Sequence, residues 1–580
     1  MGGRDPGRLN AAEIDERRRL SVFDLVGLAA GGVIGSGWLL AGESVHHKAG
    51  AGAWSVGSWV VGGLVMLLIA AVMVELGITA PKTGGLIFLP LQAAGPLVAT
   101  VVAAGLWTVY AMNPPSEAAA MVQGIGHWFP SLLRPGELDE GVRLPGNLTR
   151  SGGLVAVLFL ALIIGLNLLP LRKLIKFNLI VTVVKVVIPV LIVAWLASAE
   201  LKPGSCPSVD TGRSDPSAVL PTVLGAGVLY AYTGFQAPLD FAGNIRRRGI
   251  GEAARLRIAV YGTLGGAFLL YTALQYVFDM HSAVFCPTSP DAPYTQFAQA
   301  AGIGWLVLLI RIDALLSPMG AGVVFTHALT REVAALGRAH LTHRGLQTAR
   351  RASFRFAGRV VDAYWMILLV NLAIGTVALV AVKGNWDELV ALNSVPFMMV
   401  YAMPGVVLVA LGPLLGFHGA RAIAHRILGW CAFVAIAVVV EEAGWPKVWR
   451  GMAAVGIGSV LLLVLPLLAR VDLPFAGPLL RRYDARAHAQ RLLVRGDPAV
   501  LPVLLFLGHL AMLVLCALLD DVTNNGHAGA GTVFAALSAA VVFPLLVRAA
   551  RRYMDEVPPT LPGRRAGEAV PKPVVSAATR

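Results

Sequence analysis

The chain has 580 residues, of which 56% are hydrophobic and 14% charged, and its mean hydropathy is +0.71. That much apolar surface exceeds what a soluble core can hold, so the composition excludes a soluble globular protein and indicates an integral membrane protein. A formal net charge of +14 would also suit nucleic-acid binding, but basic loops gathered on one side of a bilayer give the same total, and the positions of the charges favour that reading.

In chain order the hydropathy pattern predicts fourteen membrane spans, each needing roughly 20 apolar residues. The first, at about residues 22–42, is interrupted by Ile34-Gly35-Ser36-Gly37. It does not read as a removable signal peptide, because acidic and basic residues precede it and no small-residue cleavage site follows. His46-His47 beside Lys48 read as a solvated loop. The second and third spans fall at about residues 53–79 and 97–123. In the third, Asn113 and Glu117 bracket Pro114-Pro115-Ser116, where a double proline must disturb the helix and turn polar groups toward a central cavity. Glu117 is read either as a ligand or as a gate at the rim.

The fourth and fifth spans follow at about residues 154–171 and 177–199. Lys185 lies roughly 13 Å from the cytoplasmic start of the fifth, deeper than a Lys stem can snorkel. A charge there costs on the order of 3 kcal/mol, so it is expected to face the bundle interior as a proton-coupling group or as a permanently paired structural cation. The sixth span, at about residues 218–242, is interrupted at Thr233-Gly234, and Asp240 near its end is either a cytoplasmic gate or a solvated terminus. Spans seven to ten fall at about 259–280, 304–329, 361–382 and 389–415. In the eighth, Arg311 and Asp313 are too close along a helix to face one another, so separate partners are expected, and Ser317-Pro318 are placed near Lys185. The last four spans fall at about 427–440, which is short, and at 452–468, 499–519 and 531–547.

With the N-terminus in the cytoplasm, about 36 of the 47 Lys and Arg lie on that side, which sets the orientation and places both termini inside. Residues 1–20 then form a cytoplasmic segment and 551–580, rich in proline, a flexible cytoplasmic tail. Cys206 and Cys286 both fall in external loops, where an oxidising compartment allows a disulfide between them. No spacing of His, Cys or carboxylates suggests a metal, and no nucleophile or phosphate-loop motif suggests an enzyme, so no catalytic residue and no cofactor are expected.

Unwinding a buried helix frees backbone hydrogen-bonding groups, which is tolerated only where they line a cavity or meet a ligand. At the first-span break the freed N–H groups would suit an anion, and at the sixth-span break the freed carbonyls would suit an ammonium, so together they would hold a zwitterion near the bilayer midplane. The alternative is that these glycines only permit close helix packing.

The stretches Gly32-Val33-Ile34-Gly35-Ser36-Gly37, Glu75-Leu76 through Pro81-Lys82-Thr83-Gly84-Gly85, and Tyr230-Ala231-Tyr232-Thr233-Gly234-Phe235 resemble the amino acid permeases of the amino acid, polyamine and organocation (APC) superfamily. That resemblance implies an all-α polytopic membrane protein with an inverted repeat of five plus five transmembrane helices, broken in helices 1 and 6. Residues 21–416 would be this transport core, and 417–550 would add about four extra C-terminal helices, the last two forming a hairpin outside the core. It also implies that the substrate carboxylate binds backbone at Ser36 and Gly37 within the 34–37 break. Tyr230 would stand as an aromatic gate, and Ala231 and Thr233 would offer carbonyls to the amine beside Tyr232 and Gly234. Lys185 would take the place of a sodium ion; the residues Tyr230, Tyr232 and Asn113 themselves suggest some pocket polarity, with no counter-charge for a basic side chain. One departure is Gly243-Asn244-Ile245-Arg246-Arg247, where the family often has an acidic residue. The function implied is proton-coupled symport of a neutral or acidic amino acid across the cell membrane of a bacterium, with amino acid/amine antiport or a non-transporting sensor as alternatives. Expected partners are the amino acid, protons and the lipid bilayer, with no nucleic acid; the oligomeric state is not indicated.

Overall fold

The computed structural model describes residues 21–560 except 82–83, 135–137, 140–141, 144–147, 170, 202–215, 241–250, 287–288, 290, 343–345, 347–349, 357–358, 469–484, 493–496 and 525–528. Cys206 and the departure at 243–247 therefore lie outside the described residues, as does the side chain of Asp240.

Each of the fourteen apolar segments is helical. The first span is α1 (Val22–Val33) and α2 (Gly37–Ala49). Ser21 caps α1 reciprocally, its hydroxyl accepting from the Asp24 N–H while the Asp24 carboxylate accepts from the Ser21 N–H. The second span is α3 (Ala53–Thr79), followed by a short α4 (Gly85–Ala94), and the third is α5 (Pro96–Gly124). The fourth and fifth are α6 (Arg150–Leu166) and α7 (Leu171–Leu196). The sixth is three short helices, α8 (Val219–Gly225), α9 (Val228–Tyr232) and α10 (Ala237–Asp240). Then come α11 (Glu252–Met280), a connecting α12 (Pro293–Ala300), α13 (Gly304–Arg338), α14 (Trp365–Ala381) and α15 (Trp386–Leu411). The remaining helices are α16 (Gly419–Glu441), α17 (Trp445–Leu468), a short α18 (Ala485–Leu492), α19 (Val500–Asn524) and α20 (Ala530–Glu556). Ten of these helices are long and apolar enough to cross a membrane alone, and the α1–α2 pair, bent by 41°, makes an eleventh. Helices α6 and α14 are shorter apolar helices, and the sixth span reaches spanning length only across its breaks.

Several boundaries correct the sequence reading. The fifth span begins at Leu171 rather than near 177, because Arg172, Lys173 and Lys176 continue the helix, so Lys185 sits about 21 Å along it. The ninth begins at Trp365, since β3 (Arg350–Phe356) and β4 (Arg359–Ala363) form an antiparallel hairpin before it; β1 (Leu138–Asp139) and β2 (Val142–Arg143) make a second small hairpin. The eleventh is a full 23 residues, not a short span. Residues 551–556 belong to α20 rather than to a tail, while 561–580 lie outside the described residues.

Inside a bilayer, lipid tails are as apolar as Leu, so packing density and polar pairing decide which helices lie inside. The apolar stretch of α15 is buried throughout and that of α5 very nearly so, and α5 packs against α6, α13, α15 and α17. By contrast α6, α7 and α14 carry exposed Leu154, Ile180, Val377 and Val380, which mark their outer faces as lipid-facing. Helices α19 and α20 pair as a hairpin, but α20 also packs on α15 and α16, so the hairpin leans on the ten-span core rather than standing apart.

Candidate functional site

The two breaks meet in the centre of the bundle. Helix α1 gives way to extended backbone at Ile34 (φ −88°, ψ 93°), and α2 restarts at Gly37. The sixth span is interrupted twice. Gly227, at φ +82°, adopts the left-handed conformation that separates α8 from α9, and Thr233 is extended before Gly234 at φ +106°. Only the second of these was legible in the sequence. Backbone meets backbone here: a Cβ added to Gly32 would lie 3.0 Å from the Gly234 Cα, and one added to Gly37 would lie 2.9 Å from the Ala231 Cα.

Around these breaks the freed groups are partly used and partly open. The Ser36 N–H donates to Glu117 Oε2 at 3.0 Å, and the Tyr230 hydroxyl donates to Glu117 Oε1 at 2.8 Å. Asn113 Nδ2 donates to the same Tyr230 hydroxyl at 2.9 Å, and the Ser116 hydroxyl lies 2.7 Å from it. Asn113, Ser116 and Glu117 are all buried. The rim position for Glu117 is thus set aside: its carboxylate sits on the amide that the resemblance assigns to a substrate carboxylate. It fits because residue 35 is glycine, since a Cβ there would fall 2.7 Å from Glu117 Oε1. The double proline removes two consecutive N–H donors from one turn of α5, next to the polar cluster. At the sixth-span break the Thr233 hydroxyl donates to the Tyr230 carbonyl at 2.6 Å. The carbonyls of Ala231, Tyr232 and Thr233 accept no hydrogen bond among the described residues.

Lys185, fully buried, donates to the Gly31 carbonyl at 2.6 Å, in the last turn of α1. Two turns below it Asn178 Nδ2 donates to the Gly27 carbonyl at 2.7 Å, and Thr182 reaches the same oxygen at 3.3 Å. Helical spacing puts these three on one face of α7, which is stitched to α1 along successive turns. Glu117 and Asp313 are the two carboxylates whose field reaches Lys185. Asp313 and Arg311 do take separate partners: Asp313 Oδ2 accepts from the Ser317 hydroxyl at 2.9 Å, while Arg311 pairs with Asp291 at 3.1 Å. Ser317 is bound to Asp313, and it is Gly320, one turn on, whose added Cβ would come within 3.1 Å of Lys185 Nζ.

Residues that sequence reasoning missed complete the surround. Trp386, the first residue of α15, donates from Nε1 to the Ser36 hydroxyl at 3.0 Å and sets its ring edge-on to Tyr230, centroids 5.9 Å apart. Tyr271 donates to the Val33 carbonyl at 2.9 Å. Gln236 accepts from the Gly234 N–H at 2.9 Å and from the Tyr401 hydroxyl at 2.8 Å, bracing the second break. Toward the other end of α2, His46 is buried within the helix rather than in a solvated loop. It pairs with Asp279 at 2.7 Å, and that carboxylate also takes the Gly52 N–H at 3.2 Å, Gln275 Nε2 at 3.1 Å and the Ser55 hydroxyl. The Gly225 carbonyl at the end of α8 accepts from both Lys48 and Lys447, each at 2.7 Å. Cys286 is disulfide-bonded; its expected partner Cys206 lies outside the described residues.

Comparison with known proteins matches residues 20–464 to a family described as amino acid permease. The aspartate-proton symporter of Bacillus subtilis (strain 168) is 29% identical over 333 residues, covering 56% of this chain and 61% of that protein. The glutamate/serine transporter AimA of the same organism is 29% identical over 330 residues, 54% of this chain and 58% of that one. The chain thus spans about three fifths of the length of these two relatives. A methylthioribose transporter, also from Bacillus subtilis, is 24% identical over 447 residues, 70% of this chain and 94% of its own length.

Proposed function

The chain belongs to the amino acid permease family, and from that premise we propose that this multi-pass membrane protein is a secondary active transporter that carries an amino acid together with protons by alternating access. The observation that carries the reading is the Glu117 carboxylate on the Ser36 N–H. That amide, at the positive end of the α2 half-helix, already binds a carboxylate, the protein's own. A substrate carboxylate takes the same amide once Glu117 is protonated and no longer competes as an anion, while the open carbonyls of Ala231 and Thr233 take the ammonium. Lys185 on Gly31 ties the fifth span to the first, so that its charge state and the bend of the first span change together. The names of two relatives, an aspartate-proton symporter and a glutamate/serine transporter, support both proton coupling and an acidic or small polar substrate. The excess of basic residues on one side supports a cell-membrane orientation with both described ends inside.

The test is uptake into proteoliposomes of a panel of radiolabelled amino acids, each alongside its carboxyl methyl ester, with and without an inward proton gradient. Concentrative uptake of at least one free amino acid into empty vesicles, lost on esterification, is expected. Uptake that requires vesicles preloaded with an amine identifies an antiporter instead, and saturable binding without any uptake identifies a sensor.

A further inference from the structure

A groove of about 500 Å³ opens where the accessory helices α16 and α20 meet the end of α15. Its walls are apolar, with Ile427 and Trp430 on one side and Phe543 and Val547 on the other. At its mouth stand three guanidinium groups, Arg426, Arg548 and Arg551. Among the described residues none of the three has a carboxylate within ion-pairing distance. Arg551 Nη2 donates to the Val409 carbonyl of α15 at 2.9 Å, but its Nε is buried with no acceptor.

The groove is a feature of the sequence and not of loose packing. Pro544 has no N–H, so the Ala540 carbonyl one turn earlier loses its helix donor; Trp430 Nε1 supplies one at 3.2 Å and holds the indole against α20. Ile427 is 59% exposed, and Trp430 is 41% exposed even with its indole N–H on α20, so the groove stays open on its lipid side. The arginines lie toward the ends of α16 and α20 where Arg421 and Arg552 also gather, the basic end of the bundle, which faces the leaflet rich in anionic headgroups.

We propose that this groove is a binding site for an anionic phospholipid, with the headgroup phosphate between Arg426, Arg548 and the free Nε of Arg551 and an acyl chain along the Ile427–Trp430 and Phe543–Val547 walls. A guanidinium fork suits two phosphate oxygens at once. Because Arg551 also holds a carbonyl in the last turn of α15, lipid binding is linked to the buried tenth span, which gives the accessory helices a role beyond filling space.

The experiment uses the purified full chain, delipidated and exchanged into an equimolar mixture of phosphatidylglycerol and phosphatidylcholine, with retained lipid read by native mass spectrometry. Wild type is expected to retain phosphatidylglycerol in preference. The double variant Arg426→Gln/Arg548→Gln breaks no bond within the protein, so it should keep the wild-type melting temperature in phosphatidylcholine. It should lose about fivefold in phosphatidylglycerol retention per arginine, about thirtyfold in all. Equal retention by wild type and double variant overturns the proposal, as does equal retention of the two lipids by wild type. Inorganic phosphate is added in a parallel arm: displacement of the lipid by phosphate alone, with equal thermal protection, assigns the groove to a soluble anion and overturns the lipid site. Arg551→Gln should lose the lipid preference and also melt earlier, since it frees the Val409 carbonyl.

Discussion

Replacing Glu117 with Gln tests the proposed coupling at its centre. The side chain keeps its shape but loses its charge, and one of its two terminal atoms becomes a donor. Whichever way the amide turns, the Ser36 N–H, which meets a carboxylate at 3.0 Å in the native arrangement, is left facing at most a neutral amide oxygen, a weaker competitor for it. A hydrogen bond to a charged group contributes about 1.5–3 kcal/mol, so freeing the amide from its charged competitor should tighten substrate binding at alkaline pH by about tenfold to somewhat over a hundredfold. It should also remove the repulsion that a second carboxylate would meet at the same amide. The variant should therefore bind with an affinity nearly independent of pH, where wild type binds more tightly as pH falls and Glu117 is protonated. Net uptake driven by a proton gradient should vanish while exchange of labelled for unlabelled substrate persists, because exchange needs no net proton movement. Isothermal titration of purified protein at acidic and alkaline pH, paired with gradient-driven and exchange assays in proteoliposomes, reads all three. A variant with wild-type pH dependence and full concentrative uptake would refute the reasoning.

Lys185→Ala should abolish gradient-driven uptake, and by leaving the Gly31 carbonyl buried and unpaired should cost about 1–3 kcal/mol of stability; initial rates normalised to folded protein decide, and full proton drive in the mutant would show the Lys to be structural only. Gly234→Ala places a Cβ 2.7 Å from the Gly32 Cα at φ +106°, so melting in detergent should fall by at least several degrees, and an unchanged transition would mean the breaks are not held in contact. Gly37→Val should lose substrate binding, because its side chain meets Ala231; unchanged affinity in the purified variant would argue that the glycine serves packing alone. Mass analysis with alkylation before and after reduction should find Cys206 and Cys286 protected until reduction, and two thiols labelled beforehand would exclude that pairing.

The glycine breaks at 34–37 and 233–234 were legible because glycine is conspicuous in an apolar span, and Lys185 because a charge there is costly. Its depth was misjudged for a related reason. Lys173 and Lys176 look like a loop to a hydropathy reading, yet long basic side chains reach water from within a helix and let α7 start earlier. Glu117 was located in a span, but which way it faces depends on how two prolines turn α5, which periodicity does not give. The break at Gly227 went unseen because Gly225-Ala226-Gly227 has the composition of a close-packing helix face. His46 misled for the opposite reason: flanked by His47 and Lys48 it reads as solvated, and its partner Asp279 lies far along the chain. Trp386 and Asn178 act through partners on other helices, and Gln236 joins the nearby Gly234 N–H to the distant Tyr401, so no local pattern announces them.

The contact of Gly32 with Gly234 has a consequence for how such proteins diverge. Packed pairs ordinarily drift together, one side chain shrinking as the other grows, and that exchange leaves a statistical trace in related sequences. Here both partners are already at the minimum size, and every substitution at either adds a Cβ that no change at the other can make room for. The junction between the two halves should therefore be among the least variable points of the chain and among the least visible to methods that infer contacts from paired change: an invariant column carries no covariation, however close the atoms.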